Sequence, residues 1–176
     1  MERIKLLTNE EAPEKSKEIL DGITQSGARV INIFKAMANS SATLKTFFGI
    51  AKALEDKKLS SEIAERIAIQ MAVTNGCEYC LAAHSYSGSK ILAPEEIINA
   101  RTGKSSDSKV QAALNFSASV MKNAGRVSDE EFENVKNAGF SDAEILEIVT
   151  VVAQNFFTNA FNNVAHTKID FPRPKD

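Results

Sequence analysis

Apolar residues recur along the chain at three- and four-residue spacing, in segments separated by helix punctuation, so the pattern predicts helices throughout. Alternating β-branched runs bounded by hairpin turns do not occur. The chain therefore reads as all-α. The first helix is expected near TNEEAPEK, with Thr8 or Asn9 as cap, Pro13 in the first turn, a stripe of Ile19, Leu20 and Ile23, and an end near Gly27. A short segment, VINIFKAM, follows. SSATLKTFFGIAKALED then places Leu44, Phe47, Phe48, Ala51 and Leu54 on one face, which is expected to be core.

In the next helix, SSEIAERIAIQMAVT, a turn of about 100° per residue groups Glu62, Arg66, Gln70 and Thr74 on one polar arc, interrupted by Val73. Glu65 falls outside that arc, beside Ala68, Ile69 and Ala72, where an ionised carboxylate is partly desolvated. Either its side chain bends out to water, or it is a buried carboxylate with a raised pKa that exchanges protons near neutrality.

Downstream, APEEIINARTG opens with Pro94 at a first helical position, and SDSKVQAALNFSASVMKNAG aligns Val110, Leu114, Ser117 or Ala118, and Met121 before stopping at Gly125. Ser128 with Glu131, and Ser141 with Glu144, have the spacing of capping boxes, and Phe140 can staple onto Ile145. The last helix, DAEILEIVTVVAQNFFTNAFNNVAHT, is apolar on most of its circumference and carries Phe156, Phe157 and Phe161. Such a helix is central or packs on another subunit, and a homo-oligomer is the expectation. The tail KIDFPRPKD, residues 168–176, holds two prolines and should be irregular.

Length and composition add limits. A chain of 176 residues, 43% hydrophobic and 25% charged, is expected to form a single all-α domain over 1–176. The net charge of −2, spread along the chain, leaves no basic stripe for nucleic acid. No segment reaches the roughly 18 apolar residues of a membrane span, and the N-terminus lacks a secretory pattern. The expected location is the cytoplasm, where a Cys-x-x-Cys pair is more often redox-active or metal-binding than a structural staple.

The chain's only two cysteines, Cys77 and Cys80, lie in NGCEYCLAAHSYSG with His84. Gly76 suits a left-handed helix stop, so a new helix begins at or just after Cys77. Spacing of i, i+3 and i+7 then puts Cys77, Cys80 and His84 on one face, where they can share a pocket. Unpaired amides at the helix start favour thiolate, and a second thiol one turn away can condense with a sulfenic acid. Zinc is the competing use of these ligands, but a tetrahedral site wants four, and only Glu65 or the distant His166 could complete it. Otherwise His166 reads as a solvated or interface residue. A thioredoxin-type fold needs a βαβ context that this chain does not offer.

The stretch ERIAIQMAVTNGCEYCLAAHSYSG resembles the signature of alkylhydroperoxidase D-like members of the carboxymuconolactone decarboxylase superfamily. Glu65, Cys77, Cys80 and His84 fill its positions, and flanking segments extend the resemblance over about residues 28–172, to its peroxidase-related branch. The resemblance implies a helical bundle assembled as trimers or hexamers that reduces organic hydroperoxides without a cofactor or metal. It implies Cys80 as the peroxide-attacking nucleophile, Cys77 as proton donor and resolving thiol, and Glu65 with His84 as proton relay. The reductant would be a dithiol protein, lipoyl-bearing or thioredoxin-like. One departure is Tyr79, which stands where well-characterised members carry a second histidine and is a poor base at neutrality. The alternatives are a general thiol-disulfide oxidoreductase, or a non-catalytic redox-sensing or metal-binding module.

Overall fold

Helix-start chemistry sets most of the boundaries. Ser40, Ser60, Asp107, Ser128 and Ser141 each accept a hydrogen bond from a first-turn amide, and both expected capping boxes form. The computed structural model describes residues 2–173, so residues 174–176 of the expected irregular tail lie outside the described residues. Nine α-helices and no strand are present among the described residues. They are α1 Glu14–Gln25, α2 Asn32–Met37, α3 Ser41–Ala53, α4 Ser61–Thr74, α5 Glu78–Gly88, α6 Pro94–Arg101, α7 Ser108–Lys122, α8 Asp129–Asn137 and α9 Asp142–Ala165. A single 3-10 turn, Leu54–Asp56, continues α3. No helix of the described residues is long and apolar enough to cross a membrane.

α4 is the hub, packed on α5, α6, α7 and α9, while α9 also reaches α3, α5 and α7. One core joins Ile67 and Met71 of α4 to Leu114, Val135 and Ile148. A second gathers Leu20, Met37 and Leu44 around Cys77, Tyr79 and Cys80, so the cysteine pair is built into packed structure rather than a surface loop.

Two expectations are corrected. α1 starts after Pro13, not at Thr8 or Asn9. Thr8 instead caps a turn of its own, in which Thr8 N–H donates to Glu11 Oε2 at 3.1 Å and Ala12 N–H to the Thr8 carbonyl at 3.1 Å. That turn cannot run on, because proline lacks an N–H and pushes the preceding residue out of helical backbone. On the expected core face of α3 and the turn after it only Leu44 is fully buried; Phe47, Phe48 and Leu54 are half-buried and pack against the edges of the cores, and Ala51 is half-buried. The polar arc of α4 is not a solvent face. Arg66 and Gln70 are buried, Arg66 ion-paired with Glu96 of α6 and Gln70 accepting from Ser117 Oγ of α7 at 3.1 Å. A wheel projection reports polarity along one helix, not what neighbouring helices cover.

α9 is central, which accounts for its breadth of apolar surface. Even so, Leu146, Val149, Phe156 and Val164 remain exposed along it.

Candidate active site

The turn from α4 into α5 fixes the cysteines. Gly76 has φ +62°, and Cys77 N–H donates back to the Ala72 carbonyl at 2.8 Å, closing the end of α4. Two asparagines of α9 hold this turn from below: Asn75 Nδ2 donates to Asn159 Oδ1 and Asn163 Nδ2 to the Asn75 carbonyl, both at 2.8 Å. Cys77 is then the N-cap of α5, and its sulfur accepts from Cys80 N–H at 3.2 Å. The two sulfurs are joined as a disulfide, with Cα atoms 5.3 Å apart, a span that such a bond bridges without moving backbone. Both residues are buried, at 2% and 3% exposure, and Asn162 Nδ2 of α9 donates to Cys80 Sγ at 3.3 Å. Each sulfur therefore has an N–H donor placed to stabilise a thiolate once the bond opens.

One turn along α5, His84 Nδ1 lies 3.0 Å from Glu65 Oε1 of α4. Gly88 packs against this pair: a Cβ there would touch Glu65 Cγ and Ile69 Cδ1 at 3.4 Å. The side chains are 30% exposed for His84 and 18% for Glu65, so the carboxylate is the more sheltered partner. With Nδ1 engaged, Nε2 is the ring nitrogen free to serve another group. His84 lines two cavities. One, of about 250 Å³, is largely apolar and includes Ile33, Phe47, Cys80, Thr158, Asn162 and Phe171. The other is an open notch of about 270 Å³ that also holds Glu65, Lys57 and Gln154. The Glu65–His84 pair thus links solvent-facing space to the cavity that contains Cys80.

The Tyr79 hydroxyl is engaged elsewhere, away from the Glu65–His84 pair. It accepts from Ile33 N–H at 3.2 Å and donates to Asp170 Oδ1 at 2.9 Å. Asp170 Oδ2 also accepts from Asn32 N–H at 3.1 Å and lies 3.3 Å from Arg29 Nη2, so one carboxylate ties the C-terminal segment to α2 and α5. Phe171 is held beside it, edge-on to Tyr79 with ring centroids 5.7 Å apart and beneath the Arg29 guanidinium at 5.3 Å. Burial pushes the Tyr79 phenol far above the ordinary tyrosine range. Tyr79 is a clamp for the cavity wall rather than a replacement base. Tyr79→Phe should cost about 1–3 kcal/mol by leaving the Ile33 amide without its partner, and should speed proteolytic cleavage near Asp170. The clamp holds through neutral pH, and stability tied to it declines only as pH rises past the ~10 at which an unfolded tyrosine ionises.

Glu65, Cys80 and His84 are brought together, but Cys77, although bonded to Cys80, does not line their cavity. As an N-cap it has extended backbone, φ −96° and ψ 93°, and it borders a separate cleft with His166 and Thr167. The expected shared pocket for all three therefore holds only Cys80 and His84. His166 is exposed at the end of α9, with φ 51°. No cluster of three or more His, Cys, Asp or Glu side chains is arranged to hold a metal among the described residues. Sequence reasoning missed Asn162, Asp170 and Phe171. A signal for the first existed: Asn155, Asn159 and Asn162, poor helix formers at i, i+4 and i+7, interrupt an otherwise apolar helix.

Comparison with known proteins agrees with this architecture. The model of the carboxymuconolactone decarboxylase family matches residues 41–121, the region that carries Glu65, Cys77, Cys80 and His84. No curated protein matches the sequence. Among solved structures, a peroxidase-related protein with an alkylhydroperoxidase AhpD core from Ralstonia eutropha superposes with a TM-score of 0.80 at 23% identity, covering 96% of this chain and 92% of that one. A peroxidase-related protein from a Silicibacter species gives 0.75 at 22% identity, over 97% and 90%. The debrominase Bmp8, as a cysteine-to-alanine variant bound to 2,3,4-tribromopyrrole, gives 0.76 at 20% identity, over 96% and 91%. Residues 41–121 match the carboxymuconolactone decarboxylase family model, and the chain shares its fold with the structure that carries the alkylhydroperoxidase AhpD core.

Proposed function

We propose that this chain, with its family region at 41–121 and a cysteine pair beside a histidine-lined cavity, is a thiol-dependent peroxidase of small organic hydroperoxides. The observation that carries this reading is the position of Cys80. It borders a mostly apolar cavity that His84 also borders, and it is bonded to a resolving partner just outside. In the reduced protein the Cys80 thiolate attacks the terminal peroxide oxygen and the O–O bond breaks. The departing alkoxide takes a proton from His84, which Glu65 holds and recharges from the solvent-facing notch. Cys80 is left as sulfenic acid. Cys77 then attacks Cys80 Sγ and expels hydroxide, which leaves as water, and the disulfide is formed. An external dithiol restores the two thiols. No metal or organic cofactor takes part.

The test is a titration. Reduced protein mixed with cumene hydroperoxide should lose two thiols for each peroxide consumed, within seconds. Loss of peroxide without loss of thiols would overturn the assignment.

A second reading, thiol-driven dehalogenation of a halogenated aromatic, is favoured by the aromatic walls Phe47, Tyr79 and Phe171 and by the fold shared with the debrominase. It would oxidise the same two thiols, replace C–Br by C–H and release bromide. Substituting tribromopyrrole for the hydroperoxide in the titration separates the two.

The exposed stripe Leu146, Val149, Phe156 and Val164 is the surface expected to pack on further copies of the chain, in a trimer or hexamer. Light scattering should give a multiple of the 19.2 kDa protomer, reduced by Leu146→Glu with Phe156→Glu.

A further inference from the structure

The disulfide stands between two cavities, both walled by residues of α5 and α9, with Cys80 bordering one and Cys77 the other. The apolar one uses Tyr79, Cys80, Ala83 and His84 from α5, with Asn155, Thr158 and Asn162 from α9. The next, a wide and more polar cleft of about 540 Å³, lies at the start of α5 and the end of α9, where Cys77, Glu78, Asn162, His166 and Thr167 border it. Tyr79 and Asn162 belong to both and divide them. Two polar atoms on the cleft's walls, Asn162 Oδ1 and Thr167 Oγ1, are buried without a hydrogen-bond partner, on residues 3% and 8% exposed. Buried polar groups of this kind normally have one.

Resting on the redox reading above, we propose that the Cys77 cleft is a second site, the entry for the dithiol that re-reduces the protein, so that oxidant and reductant reach the disulfide from different cavities. The reductant thiolate attacks Cys77 Sγ and forms a mixed disulfide there. The Cys77–Cys80 bond breaks, and its electron pair leaves on Cys80, where the Asn162 amide stabilises the thiolate. The reductant's second thiol then attacks its own sulfur in the mixed disulfide. It departs as an oxidised disulfide, and Cys77 is released as a thiolate that accepts from Cys80 N–H at the start of α5. Two thiols are oxidised and two are restored, and each departure has a donor already in place. Asn162 Oδ1 and Thr167 Oγ1 are the acceptors for polar N–H or O–H groups of the incoming dithiol. His166, on the cleft rim, is the base that deprotonates the incoming thiol.

The two half-reactions can be timed separately. Starting from the disulfide form with no peroxide present, reduction is followed with dihydrolipoamide and with reduced thioredoxin; starting from the reduced form, oxidation is followed with cumene hydroperoxide. Glu78→Trp fills the cleft from an exposed position. His166→Asn removes the imidazole and keeps a residue type that accepts left-handed backbone. Ala83→Leu narrows the apolar cavity. Glu78→Trp should slow reduction by about tenfold or more, and His166→Asn should slow it near neutrality and lose that effect at alkaline pH, where the incoming thiol ionises without a base, with oxidation unchanged in both. Ala83→Leu should slow oxidation alone. Slowing with either dithiol supports the entry site, and which of them is slowed identifies the source of the dithiol. Unchanged reduction in Glu78→Trp with both dithiols, or equal slowing by Ala83→Leu, would overturn it. Failure of the hydroperoxide to oxidise any form would count against the peroxidase reading without touching the reduction data.

Discussion

Cys80→Ser is expected to abolish hydroperoxide consumption, lowering kcat/KM by about three orders of magnitude or more, because among the described residues no other sulfur borders the apolar cavity. A serine hydroxyl is not ionised near neutrality, so neither the Asn162 donor nor His84 can make it an adequate nucleophile. The fold should survive, since the change keeps size and leaves Cys77 as N-cap of α5. An unchanged helical circular dichroism spectrum with lost activity separates the chemical effect from unfolding. Cys77→Ser should behave differently: one rapid turnover with peroxide, then arrest at the sulfenic acid.

The second large effect concerns the relay proposed for Glu65 and His84. His84→Asn should lower kcat/KM for hydroperoxide by about 10²-fold or more, the usual worth of a positioned acid–base group. Glu65→Gln keeps the shape and an acceptor for Nδ1–H but loses the charge, and a loss of about 10-fold is expected, as for residues that act through another side chain. Rapid-mixing measurements should place both losses in the peroxide step, with reduction of the disulfide by dithiol near the wild-type rate. The order of the two effects follows from position: His84 borders the cavity with Cys80, whereas Glu65 reaches it only through His84.

Much of the helical pattern could be read from letters alone, because capping boxes, Gly76 and Pro94 act within a few residues of themselves. The link between Glu65 and His84 was also legible, through the odd placement of a carboxylate off the polar arc and a motif that carries both. What stayed hidden depends on distant contacts. Nothing in Arg66 or Gln70 says that α6 and α7 will cover them. Nor does the irregular composition of residues 168–173 say that Asp170 will seize Tyr79, Asn32 and Arg29 together and set Phe171 into the cavity wall. The departure at position 79, which in sequence looks like a missing base, is in space the anchor of that wall. Cys77 illustrates the converse error: helical spacing puts it on the face of Cys80 and His84, but an N-cap is not helical, and its extended backbone turns it toward the neighbouring cleft.

In the proposed mechanism Cys80 attacks the peroxide and Cys77 resolves the sulfenic acid. The most direct measurement uses Cys77→Ser, reduced and mixed with one equivalent of cumene hydroperoxide, followed by dimedone trapping and peptide mass spectrometry. One added oxygen atom per chain is expected, trapped on Cys80 and absent from the matching Cys80→Ser sample. Dimedone adduct on Cys77 in the Cys80→Ser protein, formed at a comparable rate, would contradict it.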